Sequence, residues 1–285
     1  MDGEANETKR ICRLPADGIS HYNSDIRVEF LTRLGYVPIL IVLLLLRLLI
    51  RPNEAVFNPI YRLLYRITDV ILTPAEYITR KPTHGTLATI LALVILRGAI
   101  YILIKPMPFL SAVGISLLGL FQLLFQFYMV IWFVSIFSRR GFVTPFTHIM
   151  ERTLHPVRTF LGRFRIQRDR FYLFSFFFLW IIYSFLSIII RSVLITHPGI
   201  SSVPVVYAVA EGLMLVLALF PFPGFFSLVI VVGALLSWVS PDPSNPIVQT
   251  IYGISEPLLV PFRRIIPHIG GLDISPILAL LCFQI

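Results

Sequence analysis

The sequence predicts an all-α, polytopic transmembrane helical protein, built from about three span–amphipathic loop–span repeats and about six spans. Three observations lead there. The chain of 285 residues is 56% hydrophobic and 14% charged. Soluble domains carry about 25% charged residues, so lipid is the expected solvent for most of this chain. Apolar stretches recur at lengths near the roughly 20 residues that a helix needs to cross a bilayer core of about 30 Å. The polar segments between them carry a helical periodicity of their own.

Residues 1–33 form a polar N-terminal tail of mixed charge. It lacks the apolar core of a signal peptide, and its acidic residues argue against a transit peptide. Residues 34–50 are the first expected span and 86–104 the second. Residues 109–137 hold no charge, only Gln122 and Gln126 as large polar groups, and make the third. Residues 171–190 make the fourth. The stretch 203–239 is too long for one straight span and is broken at PFPG, residues 221–224. The run from Ile274 to Ile285 is short for a crossing, about 18 Å at 1.5 Å per residue.

Three polar loops separate these spans: 51–85, 138–170 and 240–273. In the first, Ile60, Leu63, Leu64, Ile67 and Ile71 recur at helical spacing, while Arg62, Arg66 and Asp69 fall on other faces. Such a helix lies either in the headgroup layer, its arginines near lipid phosphate, or packed between spans. The loops hold fifteen of the 24 lysines and arginines, which places them on the cytoplasmic side of the membrane, with anionic lipid as a partner.

A repeat links the loops. At an offset of 187 residues, Asn58-Pro59-Ile60 meets Asn245-Pro246-Ile247, Tyr65 meets Tyr252, Thr68 meets Ser255 and Asp69 meets Glu256. Leu72 meets Leu259, and Pro74 meets Pro261. In the middle loop Glu151, Pro156 and Arg158 keep the spacing of Glu256, Pro261 and Arg263. The implied units are 34–108, a divergent 109–200, and 201–285. Two spans per unit put all loops on one side and require 203–239 to cross once.

The third unit resembles the repeat of the YggT family, also called YlmG, of bacterial and plastid membrane proteins. The resemblance rests on Ser237-Trp238, Asn245-Pro246, Glu256-Pro257, Pro261, Arg263-Arg264, Pro267, Gly270-Gly271 and the run Leu272-Asp273-Ile274-Ser275-Pro276. The first unit keeps Arg47, Asn58-Pro59, Tyr65, Asp69 and Pro74 but loses the arginine pair and the Asp-x-Ser-Pro run. The resemblance implies an integral membrane protein without established chemistry, linked with osmotic or envelope stress, cell division, or membrane-complex assembly. Other membrane proteins are then possible partners.

Two groups of residues are candidates. Glu256, Pro261, Arg263, Arg264, Asp273, Ser275 and Pro276 form a possible lipid or partner surface. There the arginines suit phosphates, Glu256 suits a helix start, and Asp273 or Ser275 suits a cap before Pro276. Ion ligation by Asp273 and Ser275 is the rival reading. Prolines 257, 261 and 267 are expected to bend or interrupt the loop helix.

The second group is intramembrane: Arg47, Arg97, Gln122, Gln126 and Glu211. Arg47 lies near a span end and can snorkel. Arg97 is deeper and needs a partner, for which Glu211, a carboxylate within an apolar stretch, is the candidate. The glutamines, one turn apart, suit hydrogen bonds between spans.

Composition excludes other classes. The net charge of +9 lacks the aromatic interleaving of a nucleic-acid surface. Cys12 and Cys282 form neither a disulfide framework nor a zinc motif. No nucleophile–base set, phosphate loop or dinucleotide turn is present, so no enzyme activity and no cofactor is expected. His148 and His155 share a helix face without a third metal ligand nearby in sequence. A scaffold-like membrane protein is the first reading. An ion channel or transporter in osmotic balance is the alternative.

Overall fold

The computed structural model describes residues 36–50, 59–79, 82–104, 106–138, 147–163, 170–195, 205–239, 242, 244–265 and 273–284. The N-terminal tail, Cys12, Pro267 and Gly270-Gly271 lie outside them.

The described elements are all α-helices: α1 (Tyr36–Leu49), α2 (Pro59–Thr79), α3 (Pro82–Ile104), α4 (Phe109–Ser138), α5 (Thr147–Gly162), α6 (Phe171–Leu194), α7 (Val205–Leu217), α8 (Phe225–Val239), α9 (Pro246–Arg263) and α10 (Ser275–Gln284). Helix is the expected outcome for apolar sequence in lipid, because every backbone N–H and C=O is satisfied within the segment. Within α3, α4 and α6, the stretches His84–Leu103, Phe109–Ile136 and Phe171–Leu194 are long and apolar enough to cross a membrane. Helices α1, α7, α8 and α10 are apolar but shorter. The chain is therefore an all-α membrane protein.

The helices pack in closed triads. Helices α1, α2 and α3 all touch one another; so do α4, α5 and α6, and so do α8, α9 and α10. Helix α7 stands outside this scheme and packs on α6 and α4. The break expected in 203–239 falls at residues 218–224, between α7 and α8. There the Gly224 amide reaches the Pro221 carbonyl, and a Cβ at Gly224 would stand 2.5 Å from that oxygen, so a larger residue does not fit.

The largest cluster of buried apolar side chains joins the second and third triads and α7: Phe125, Met129, Met150, Tyr183, Val216, Phe226, Ile230, Leu259 and Ala279 belong to it. Aromatic contacts thread it, with Phe133 edge-on to both Phe220 and Phe226. Outward faces are apolar as well. Leu103, Phe185 and Val206 are among many exposed hydrophobics, an arrangement suited to a hydrocarbon solvent.

The amphipathic helices pack against spans. Helix α2 buries Tyr61, Leu64, Thr68 and Leu72, a stripe at spacings of three and four. This corrects the expected apolar face: Leu63 and Ile67 are exposed, beside Arg62 and Arg66. Hydrophobicity alone does not rank two apolar stripes of one helix. The stripe that wins holds Tyr65, whose hydroxyl donates to the Ile50 carbonyl at 2.9 Å, close to Thr68 and its bond to α1. Helix α9 starts at Asn245-Pro246. The Asn245 side chain accepts from the Ile247 amide at 2.9 Å, and Pro246 occupies the first turn. Pro257 and Pro261 lie inside α9, which continues through both of them.

Candidate functional site

Charged side chains of this apolar protein are organised into three polar nodes, one at each of α2, α7 and α9. In the first, Arg47 in the last turn of α1 reaches across to α2. Its guanidinium pairs with the Asp69 carboxylate, donates to Thr68 Oγ1 at 2.7 Å and lies over the Tyr65 ring at 4.5 Å. The side chain of Arg47 is 9% exposed, that of Asp69 58%. Arg47 therefore does not snorkel outward as expected. It holds α2 against α1.

The second node surrounds Glu211, midway along α7. Arg191 of α6 donates to Glu211 Oε1 at 2.6 Å, Gln122 of α4 to the same oxygen at 3.1 Å, and Ser187 to Oε2 at 3.1 Å. The Arg191 and Glu211 side chains are 24% and 18% exposed. One turn on, the Gln126 amide donates to the Leu215 carbonyl of α7 at 3.2 Å. Both glutamines thus join α4 to α7 by hydrogen bonds.

The expected Arg97–Glu211 contact does not form. Arg97 on α3 instead donates to the Tyr101 hydroxyl at 3.2 Å, and its guanidinium packs on Gly119 of α4. A Cβ at Gly119 would come within 2.9 Å of Arg97 Nη1, so the glycine provides the room for that side chain. The physical reason is adjacency. Helix α7 packs along α6 and α4, whereas α3 packs along α2, α4 and α1. Arg191 went unrecognised because it reads as an ordinary basic residue in the last turn of a span. Its spacing of four from Ser187, which it also contacts at 3.3 Å, was the available signal.

The third node lies at the C-terminal end of α9. Both carboxylate oxygens of Glu256 accept from Arg263, one of them at 3.1 Å, and Arg263 Nε donates to Asp273 Oδ2 at 2.8 Å. Asp273 uses its other oxygen as a cap, accepting from the Ser275 amide at 3.0 Å and the Ser275 hydroxyl at 2.5 Å. Burial pushes the Asp273 carboxyl up, but the two Ser275 bonds and Arg263 outweigh it and hold its pKa below the ordinary value. Pro276 then occupies the first turn of α10 and is buried.

Two expectations change here. Glu256 does not sit at a helix start: it lies eleven positions into α9, facing Arg263 seven residues on. Arg263 is occupied by two carboxylates, while Arg264 is exposed and is the arginine turned to the surroundings. The cap at Asp273 is as expected, and the carboxylate that caps α10 is also spent on Arg263. Among the described residues no group of three or more His, Cys, Asp and Glu is placed to hold a metal ion. His155 is exposed and accompanied by Thr159 Oγ1 at 3.4 Å; the His148 side chain lies outside the described residues.

At the 187-residue offset the first and third nodes share the carboxylate position, Asp69 and Glu256, but not the arginine. The position matching Arg47 is Ala234 on α8, beside Gly233. A Cβ at Gly233 would stand 2.9 Å from Ser255 Oγ of α9. Glu256 instead draws its cation from its own helix, from Arg263. In the middle triad Arg158 lies over the Phe171 ring at 5.7 Å instead, and Glu151 is exposed. There Arg152 ties α5 to α1, donating to the Leu49 carbonyl at 2.6 Å.

Comparison with known proteins places the third unit. Residues 204–285 match the family described as CCB3/YggT. An uncharacterized protein of Pseudomonas aeruginosa is 51% identical over 61 residues, which are 21% of this chain and 30% of that protein. The uncharacterized protein YggT of Escherichia coli K12 is 40% identical over 57 residues, 20% of this chain and 30% of the relative. An uncharacterized protein encoded in the proC 3′ region of Vibrio alginolyticus is 28% identical over 172 residues, 59% of this chain and 90% of the relative. The chain thus spans under a third of the length of the first two relatives and most of the third. No solved structure matches.

Proposed function

Because residues 204–285 match the family described as CCB3/YggT, we propose that the chain is a non-catalytic, multi-pass protein of the bacterial inner membrane. Its role is to hold a partner surface in assembly of membrane complexes, in cell division or in osmotic-stress tolerance. In this reading the three triads are repeats of two spans and one loop helix, and the basic loop helices face the cytoplasm and anionic headgroups. The surface presented to a partner is the end of α9, where Arg264 and Ile265 are exposed, while Ser275 and Pro276 of the candidate surface are buried. The same lysine and arginine bias of the loops supports that orientation.

The observation that carries the reading is that two arginines of the helical body are paired with carboxylates. Arg47 meets Asp69, and Arg191 meets Glu211. Gln122 and Gln126 bridge helices. Of these polar groups Gln126 alone lines the apolar cavity between the triads. An ion path needs polar groups aligned along one wet route, and these are dispersed over separate helix contacts.

Purified protein in liposomes tests this. Expected is ion flux no greater than in empty vesicles. Flux that is present and lost in Arg191→Leu would replace the scaffold with a transporter. A photo-crosslinker at Ile265, 70% exposed beside Arg264, should capture a discrete membrane-protein partner in native membranes. Capture of lipid alone would refute the partner surface.

A further inference from the structure

We infer that the apolar cavity where the three helix triads meet holds one acyl chain of a bilayer phospholipid. The cavity measures about 410 Å³ and is lined by Leu46 of α1, Phe127 and Val130 of α4, Met150 of α5, Phe225 of α8 and Ile254 of α9, among others. That volume falls within the roughly 300–1,000 Å³ of ligand pockets. The lining is apolar apart from Gln126 and Thr250, and the Gln126 amide is already bonded to the Leu215 carbonyl. Water requires two to four polar partners and does not fill such a space. An empty gap would forfeit dispersion contacts on every lining side chain.

The medium around the protein supplies the occupant. Large hydrophobics cover the outer faces of the helices, so hydrocarbon chains surround the body. The cavity is partly open, which gives such a chain a route in. Charge at its border suits the other end of a phospholipid. Met150 lines the cavity, and Arg152, two residues on, donates to the Leu49 carbonyl, three residues from Leu46. A cation therefore stands where α5 meets the end of α1, the helix end that also contributes Leu46 to the cavity. A chain seated inside would bring its anionic headgroup to a basic junction between helices, a recurrent lipid-binding arrangement.

The occupant does not depend on the scaffold role, because a transporter with this cavity would take the same chain. The test uses the full chain reconstituted with phosphatidylglycerol that carries a diazirine midway along one acyl chain. After irradiation, adducts are mapped by mass spectrometry. Expected are adducts on Phe127, Val130, Met150 or Ile254, beside those on outward Leu103 and Phe185 that any membrane helix would give. Val130→Trp, which fills the space, should cause loss of the cavity adducts and leave the outward ones unchanged. Val42→Phe, at a lining position on α1, should do the same and serves if Val130→Trp alters the outward pattern. Outward adducts without cavity adducts, or cavity adducts that survive both variants, would overturn the inference. A diazirine fatty acid at equal mole fraction should label the cavity less than the phospholipid. Equal or stronger labelling would overturn phospholipid as the source.

Discussion

Replacing Glu211 with glutamine removes a charge and almost no volume. The carboxylate accepts from Arg191 at 2.6 Å, from Gln122 at 3.1 Å and from Ser187 at 3.1 Å. The amide keeps one acceptor and leaves Arg191 as an unpaired cation between helices. Breaking a buried ion pair costs about 3–5 kcal/mol, and an arginine at mid-bilayer about 2.5–3.5 kcal/mol. Arg191 is 24% exposed and three residues from the end of α6, so its charge is partly relieved. A loss of about 2 kcal/mol follows for Glu211→Gln, and a similar loss for Arg191→Leu, which strands the carboxylate. The double variant should recover, because removing both charges is close to neutral, giving a coupling of about 1–3 kcal/mol. Equilibrium unfolding by SDS in mixed micelles measures this. The readout is helical circular dichroism with Trp180 fluorescence, since Trp180 donates to the Val209 carbonyl at 2.9 Å across the α6–α7 contact. Arg97→Leu should add independently to Glu211→Gln. A coupling below about 0.5 kcal/mol for the 191–211 pair, or strong coupling between 97 and 211, would refute the pairing.

Further outcomes follow from the other nodes. Gly119→Leu should evict the Arg97 side chain from α4 and cost about 1–3 kcal/mol by overpacking, read in the same unfolding assay. Arg263→Gln should destabilise by about 1 kcal/mol, discounted for its partial exposure, whereas Arg264→Gln should stay within about 0.5 kcal/mol. Asp273 makes stability acid-sensitive. Its folded pKa lies below the unfolded value of about 3.9, so its contribution is complete above that value and fades as pH falls through the folded pKa. Thermal unfolding against pH should show that loss below pH of about 4, and Asp273→Asn should lower stability at neutral pH and flatten the acid limb.

Much of the fold was legible because it follows from local rules. Apolar length defines α3, α4 and α6, and Asn245-Pro246 opens α9 through a side-chain cap. Asp273 caps α10 through its own second neighbour. The break between α7 and α8 sits around PFPG, where proline and glycine interrupt helix in any surroundings. The contact surface of α2 was misread by one position, since two apolar stripes of one helix differ only in what they touch.

The charged pairs divide along the same line. Sequence alone determined that Arg97 needs a partner, because hydrocarbon does not solvate charge, and offered Glu211 for it while leaving Arg47 to snorkel at its span end. It also determined the helices that carry them and the likeness of residues 204–285 to the CCB3/YggT family. Tertiary structure alone decided which partner each finds. The sequence paired Glu211 with Arg97. Helix α7 packs on α6 and α4, so Arg191 and Gln122 take its oxygens and Arg97 turns to Tyr101 beside Gly119. Pairing energy falls off over a few ångströms. Which helices come that close is set by how whole helix surfaces pack, a property of the assembled body that no short stretch of sequence contains.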